Sequence, residues 1–285
     1  MAPAMPHVDG VKHEYADVNG VRLHYAEAGE GEPVVLQHGW PQHWWAWRHQ
    51  IPALAERYRV ICPDFRGFGW SEAPASGYEK QQLADELLAL LDVLGIERVR
   101  YAGHDWGAYT GYLAGFAHPE RFERIAGLAV PPPWGARVPP PRVALVFATY
   151  QSIVSSPVLG RQAVKRGMPK LLLKAGRKAG EFTDDEVETY MQIWRQDENA
   201  NASVQVYRTF LRKELRQRGE LARKRLTPRT LVMMGGSDLL TKTVDEAEYQ
   251  KHADDLRVEI LDGAAHWLPE EKPAEVTELL LELFA

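Results

Sequence analysis

Val99-Arg-Tyr-Ala-Gly-His-Asp-Trp-Gly107 is the stretch on which the reading of this chain turns. Residues 99–102 form a short run closed by Gly103, and a helical run extends from Tyr109 to His118. Gly103-His-Asp-Trp-Gly107 therefore has glycine–X–nucleophile–X–glycine spacing at a strand-to-helix turn, the pattern of a nucleophile elbow. The glycines answer to a turn too tight for neighbouring β-carbons, and the strained turn leaves the middle side chain exposed above the sheet. That middle residue is Asp105, and no Gly-X-Ser-X-Gly occurs anywhere in the 285 residues. A glycine-rich helix start with Asp105 as its N-cap would carry the same five letters.

Outward from this turn, short apolar runs alternate with helical patterns. Residues 34–38, 59–62 and 125–130 each read as a buried strand closed by glycine or proline. Between them, Leu83, Leu87, Leu90, Leu91 and Leu94 recur at helical spacing over 81–94, and Gly95 ends that helix. Residues 13–18 and 22–27 flank Asn19-Gly20, a hairpin signal, so the sheet begins antiparallel. The expected fold class is α/β, with a mostly parallel central sheet flanked by helices.

The alternation breaks after Pro131-Pro-Pro133. With Pro139-Pro-Pro141, these residues fit neither a central strand nor a helix interior. Beyond them the chain reads as helical over 142–155, around 168–175, over 183–195 and over 202–216; Thr183-Asp-Asp-Glu186 has capping-box spacing. Strand character returns at 230–234 and 258–261. The expected organisation is a core in two parts, 1–133 and 227–285, with a helical insertion at 134–226. Charge tracks that division: residues 161–225 net +7 and the remainder −12, a contrast that fits solvated helix faces.

Composition narrows the function. A formal charge of −5 provides no global basic surface, so no nucleic-acid partner is expected. A single cysteine, Cys62, excludes an internal disulfide and a zinc–thiolate cluster. No run of 18 apolar residues exists, and the first seven residues lack the basic and apolar parts of a secretory signal, so a cytoplasmic protein without a membrane partner is expected.

A carboxylate at the elbow dictates its chemistry. It is a poor acyl acceptor, because the resulting anhydride is high in energy. It is a competent nucleophile at saturated carbon, where it displaces a leaving group and becomes an ester. Substrates must then carry a strained epoxide or a carbon–halogen bond. Hydrolysing the ester needs a base and an acid to orient it, expected in the order nucleophile, acid, histidine. Of ten histidines, His266 lies just beyond the last predicted strand. Asp238 lies beyond the preceding one, with Asp262 and Asp245 as rivals. Backbone N–H groups of Trp106 and Trp40 would form the oxyanion hole, the latter from His38-Gly-Trp-Pro41. His38 is expected to bond the loop backbone, and Pro41 to fix the turn.

With Asp105, Asp238, His266 and the His-Gly-Trp-Pro loop in order, nearly the whole chain resembles the α/β-hydrolase superfamily, and its epoxide hydrolases most. The resemblance implies an α/β-hydrolase fold with the insertion as a cap, or lid, and no cofactor or metal. Asp64-Phe-Arg-Gly-Phe-Gly-Trp-Ser71 looks like a scaffold turn of that superfamily. It further implies two cap tyrosines that hydrogen-bond the epoxide oxygen. Thr149-Tyr-Gln151 and Val206-Tyr-Arg208 resemble those motifs, so Tyr150 and Tyr207 are the candidates, with Tyr190 as fallback for the first. The expected partners are a small apolar epoxide and water, with a homodimer allowed. His38, Pro41, Trp134 and Trp267 are assigned to the substrate pocket. Haloalkane dehalogenases share the aspartate and the tryptophan after it and are the first alternative. A small-ligand receptor on the same scaffold is the second.

Overall fold

A computed structural model describes residues 3–134, 140–176 and 183–285. Eight strands form its sheet: β1 (Lys12–Val18), β2 (Val21–Ala28), β3 (Glu32–Gln37), β4 (Tyr58–Pro63), β5 (Val99–His104), β6 (Phe122–Leu128), β7 (Arg229–Gly235) and β8 (Leu256–Leu261). Their order across the sheet is β1-β2-β4-β3-β5-β6-β7-β8. β1 and β2 pair antiparallel through the Asn19-Gly20 turn, and β2 pairs antiparallel with β4. All other neighbours are parallel.

The central strands are apolar on both faces, as a sheet covered on two sides requires. In β3, Val34 and Leu36 pack on one face and Val35 on the other. In β7, Leu231 and Met233 alternate with Val232 and Met234 in the same way. Helices supply both covers. Along the chain these are α1 (Ile51–Ala55), α2 (Lys80–Val93), α3 (Trp106–Ala117), α4 (Pro141–Val154), α5 (Leu159–Lys165), α6 (Met168–Ala175), α7 (Asp184–Trp194), α8 (Asp197–Arg212), α9 (Arg218–Leu221), α10 (Glu246–Tyr249), α11 (Leu268–Glu271) and α12 (Pro273–Phe284). The leucine stripe of α2 packs with α3 on the Val35 side, while Val276, Leu280 and Leu283 of α12 cover the opposite face.

Between β6 and β7, every described element is helical. Pro141 is the first residue of α4, where its missing N–H costs nothing; Pro139 lies outside the described residues. Thr183 and Glu186 form the capping box of α7. The helix read over 202–216 is displaced in the structure. α8 starts at Asp197, with Asp197 and Glu198 in its first turn, and the residues after Arg212 tighten into a 3-10 turn over Glu214–Gln217. The sequence reading assigns no element to α1, α5, α9, α10, α11 or α12. Among the described residues, no single helix is long and apolar enough to cross a membrane.

Candidate active site

β5 ends at His104 and α3 begins at Trp106, so Asp105 alone makes the bend. Its backbone is left-handed, with φ 54° and ψ −118°, an uncommon state for a residue with a β-carbon. The bend closes so tightly that a Cβ on Gly103 would lie 2.4 Å from the Gly107 carbonyl carbon. Asp105 does not cap the helix with its side chain. Instead Oδ1 accepts from the Trp40 N–H at 2.8 Å. The Trp106 N–H is the first of α3, where no intrahelical acceptor exists.

The other Asp105 oxygen, Oδ2, lies 3.6 Å from His266 Nε2, and His266 Nδ1 lies 2.7 Å from Asp238 Oδ2. Asp238 comes after β7 and His266 after β8, so adjacent parallel strands deliver both side chains to the same end of the sheet as the elbow. Asp238 is further held by the Leu240 N–H at 2.9 Å. Neither rival meets His266: Asp262 is exposed, and Asp245 caps α10. Burial opposes a charge on His266, but Asp238 and Asp105 outweigh it and carry its pKa up to about 10. Burial likewise opposes ionisation of Asp238, yet His266 holds its carboxyl below the ordinary range.

These groups open on a cavity of about 360 Å³ roofed by the insertion. Tyr150 from α4 and Tyr207 from α8 line it, their rings 5.8 Å apart and nearly perpendicular. Burial and nearby carboxylates push both phenols up, so both remain neutral donors. Trp40 and Trp267 also line the cavity, and the remaining wall is mainly apolar, including Phe147, Leu172 and Leu240.

Three residues assigned to the pocket are not on its wall. His38 is fully buried: its Nε2 accepts from the Phe65 N–H at 3.2 Å, and its Nδ1 donates to the Gly39 carbonyl at 2.9 Å, so it props the loop. Pro41 stands after a cis peptide, and its carbonyl accepts from Trp194 Nε1 at 2.7 Å. Trp134 is buried against His252, with Nε1 donating to the Lys224 carbonyl. Tyr190, the fallback tyrosine, is buried away from the cavity and donates to Glu270 Oε1 at 2.7 Å. Asp64 is a scaffold hub: it accepts from the backbone of Trp44 and Trp70 and pairs with His24.

The sequence reading also missed how the insertion is fastened. Trp40 Nε1 donates to Ser203 Oγ of α8 at 2.5 Å, and Trp194 of α7 reaches Pro41. Trp267 Nε1 donates to the Leu173 carbonyl of α6 at 3.0 Å. Three indoles thus tie the insertion to the two loops that carry Trp40 and His266. No local pattern marks an indole as a tie rather than a wall.

The sequence profile of the family described as the alpha/beta hydrolase fold matches residues 32–273. The chain belongs to the alpha/beta hydrolases. Within them it falls among the epoxide hydrolases: it is 31% identical to the soluble epoxide hydrolase of Corynebacterium sp. (strain C12), covering 96% of this chain and 98% of that one. It is 33% identical to epoxide hydrolase A of Mycobacterium tuberculosis, covering 93% and 95%. The solved structure of epoxide hydrolase CorEH without ligand superposes on this hydrolase with a TM-score of 0.86, at 29% identity over 96% of this chain and 98% of that chain.

Proposed function

We propose that this hydrolase converts an epoxide to a vicinal diol through an alkyl ester on Asp105, with the insertion acting as the cap. The observation that carries the reading is that the elbow carboxylate, the His266–Asp238 pair and two neutral phenols share one cavity. Asp105 Oδ2 attacks an epoxide carbon and the carbon–oxygen bond of the ring breaks. Tyr150 and Tyr207 donate hydrogen bonds to the oxygen as its negative charge develops. His266, which faces two carboxylates in the resting enzyme and starts as imidazolium, supplies the net proton.

Alkylation removes the Asp105 charge, so one of the two anions that hold the imidazolium is gone and the neutral imidazole becomes a usable base. It takes a proton from water, whose oxygen adds to Asp105 Cγ. The ester carbonyl is Oδ1, already bonded to the Trp40 N–H, so the tetrahedral oxyanion forms where Trp40 and Trp106 can hold it. Collapse breaks the Cγ–Oδ2 bond, and the proton left on the added water oxygen passes to the departing Oδ2. The diol leaves with Oδ2, and the water oxygen remains in the carboxylate. Asp238 keeps the imidazole in the tautomer that presents Nε2. A small uncharged substrate fits the apolar walls.

Halide release is not favoured. The Trp40 indole is occupied by Ser203, and Trp106 does not line the cavity, so the indole pair that would hold a halide is not assembled. A receptor would have no use for an acid–base pair set against the elbow.

Intact-protein mass spectrometry of His266→Gln, mixed with an epoxide that the wild type turns over, tests the reading. The expected result is an adduct of substrate mass, lost in Asp105→Ala. An unmodified His266→Gln protein with every active epoxide would sink the mechanism.

A further inference from the structure

Glu271 sits at the end of α11, buried, five residues after His266. Its two carboxylate oxygens accept from the two amides that flank the histidine: the Ala265 N–H donates to Oε2, and the Trp267 N–H donates to Oε1 at 3.1 Å. Between them, the His266 N–H donates to the Gly176 carbonyl at 3.3 Å. The His266 carbonyl accepts from His104 Nε2 at 2.7 Å. Burial, then the charge of His266, lowers His104 to about 4, which keeps that ring neutral.

We propose that Glu271 is the positioning residue for the base. The claim rests on the reading of Asp105 and His266 above. A carboxylate suits the place because two N–H donors need two acceptors, and both its oxygens are acceptors. A charged acceptor also forms the stronger bond. Gripping both neighbours of His266 fixes the height and tilt of the loop, and so places the imidazole 2.7 Å from Asp238 and 3.6 Å from Asp105. An amide of the same shape would offer one acceptor and set its NH₂ against the other N–H. The loop would then shift, although no atom of Glu271 touches the reacting groups.

The reaction divides in a way that exposes this role. Ester formation draws on Asp105 and the tyrosines and takes from His266 only a proton, whereas ester hydrolysis needs the imidazole held in place against the attacking water. Rapid-quench measurement of the alkyl-enzyme, using the fastest epoxide of a panel that begins with styrene oxide, separates the two in wild type and Glu271→Gln. The expected result is ester formation within about twofold of wild type and ester hydrolysis slower by about 10–100-fold, the scale of a misplaced catalytic group. Equal hydrolysis rates, or equal losses in both steps, overturn the assignment. A wild type that forms no ester overturns the function reading itself and the Glu271 assignment with it. If Glu271→Gln does not fold, amide hydrogen exchange in the wild type decides. Exchange at Ala265 and Trp267 at least about 100-fold slower than in an unstructured chain is expected, and unprotected amides there overturn the clamp.

Discussion

Asp105 pairs a strained backbone with a side chain held from both ends, Trp40 on one oxygen and His266 beside the other. That arrangement has a consequence for pH. His266 has a folded pKa raised from 6.5 to about 10, so the imidazolium is stabilised by folding. Its contribution to stability is fully present below about pH 6.5 and is lost as pH rises through about 10. Denaturant titrations of wild type and His266→Gln at both ends of that window check the sign. The stability advantage of wild type should shrink toward pH 10; an advantage that grows would show that the imidazole is neutral in the resting protein. At this scale the sequence was informative: Asp105, Asp238 and His266 were legible as candidates because each follows closely on a strand end. Glu271 was not, since a glutamate in Leu268-Pro-Glu-Glu271 reads as an ordinary helix charge until its carboxylate is seen against two amides.

The elements that matter most are those that cross from insertion to core. α7 and α8 hold the Trp40–Pro41 loop, and α6 holds the His266 loop, each through an indole N–H. Trp194 is fully buried against Trp40 and Phe68, so its bond to the Pro41 carbonyl is made away from water. Trp194→Phe removes the donor and strands that carbonyl. A cost of about 1–3 kcal/mol is expected from the lost bond, in addition to the lost packing, measured by urea unfolding. Turnover should fall as well, because the same loop carries the Trp40 N–H. Unchanged stability and unchanged turnover would show that the bond ties nothing. Six of the twelve described α-helices, α2, α3, α4, α6, α7 and α8, were legible from apolar spacing and caps. α12 carries the same signal, with Val276, Leu280 and Leu283 at helical spacing, although the sequence reading leaves it unassigned. α5 is only seven residues long and offers little periodicity to detect.

Across the whole molecule, insertion and core are joined by buried charges as well as indoles. Arg48 of the core pairs with Glu186 of α7 and with Glu270, which also accepts from Tyr190 and from Gln42. On the far side of the insertion, the buried Lys80 ammonium donates to the Val206 carbonyl at 2.5 Å, next to Tyr207, and pairs with Glu214 at 3.3 Å. Burial brings that lysine down to about 8 despite Glu214. Breaking one such pair leaves a charge stranded in a low-dielectric interior. Arg48→Met leaves the buried Glu270 without its cation and should therefore cost about 3–5 kcal/mol, and the double variant Arg48→Met/Glu270→Ala should recover part of it. A double-mutant cycle by chemical denaturation reads both values; additive losses would mean that the pair is not coupled.

The sequence by itself determined the α/β alternation, the elbow with its aspartate, and the order along the chain of the Asp238 and His266 that meet it. Those features are written in windows of about ten residues, where glycine spacing, apolar periodicity and turn chemistry act on the local backbone. Only the tertiary structure decided which aromatic groups face the cavity. Trp40, Trp267, Tyr150 and Tyr207 line it, whereas Trp134 and Tyr190 are buried elsewhere. An indole or phenol in a helix has the same local preference whether it meets a cavity, a carbonyl or the core. Its neighbours come from strands and helices distant in the chain, and packing alone chooses among them.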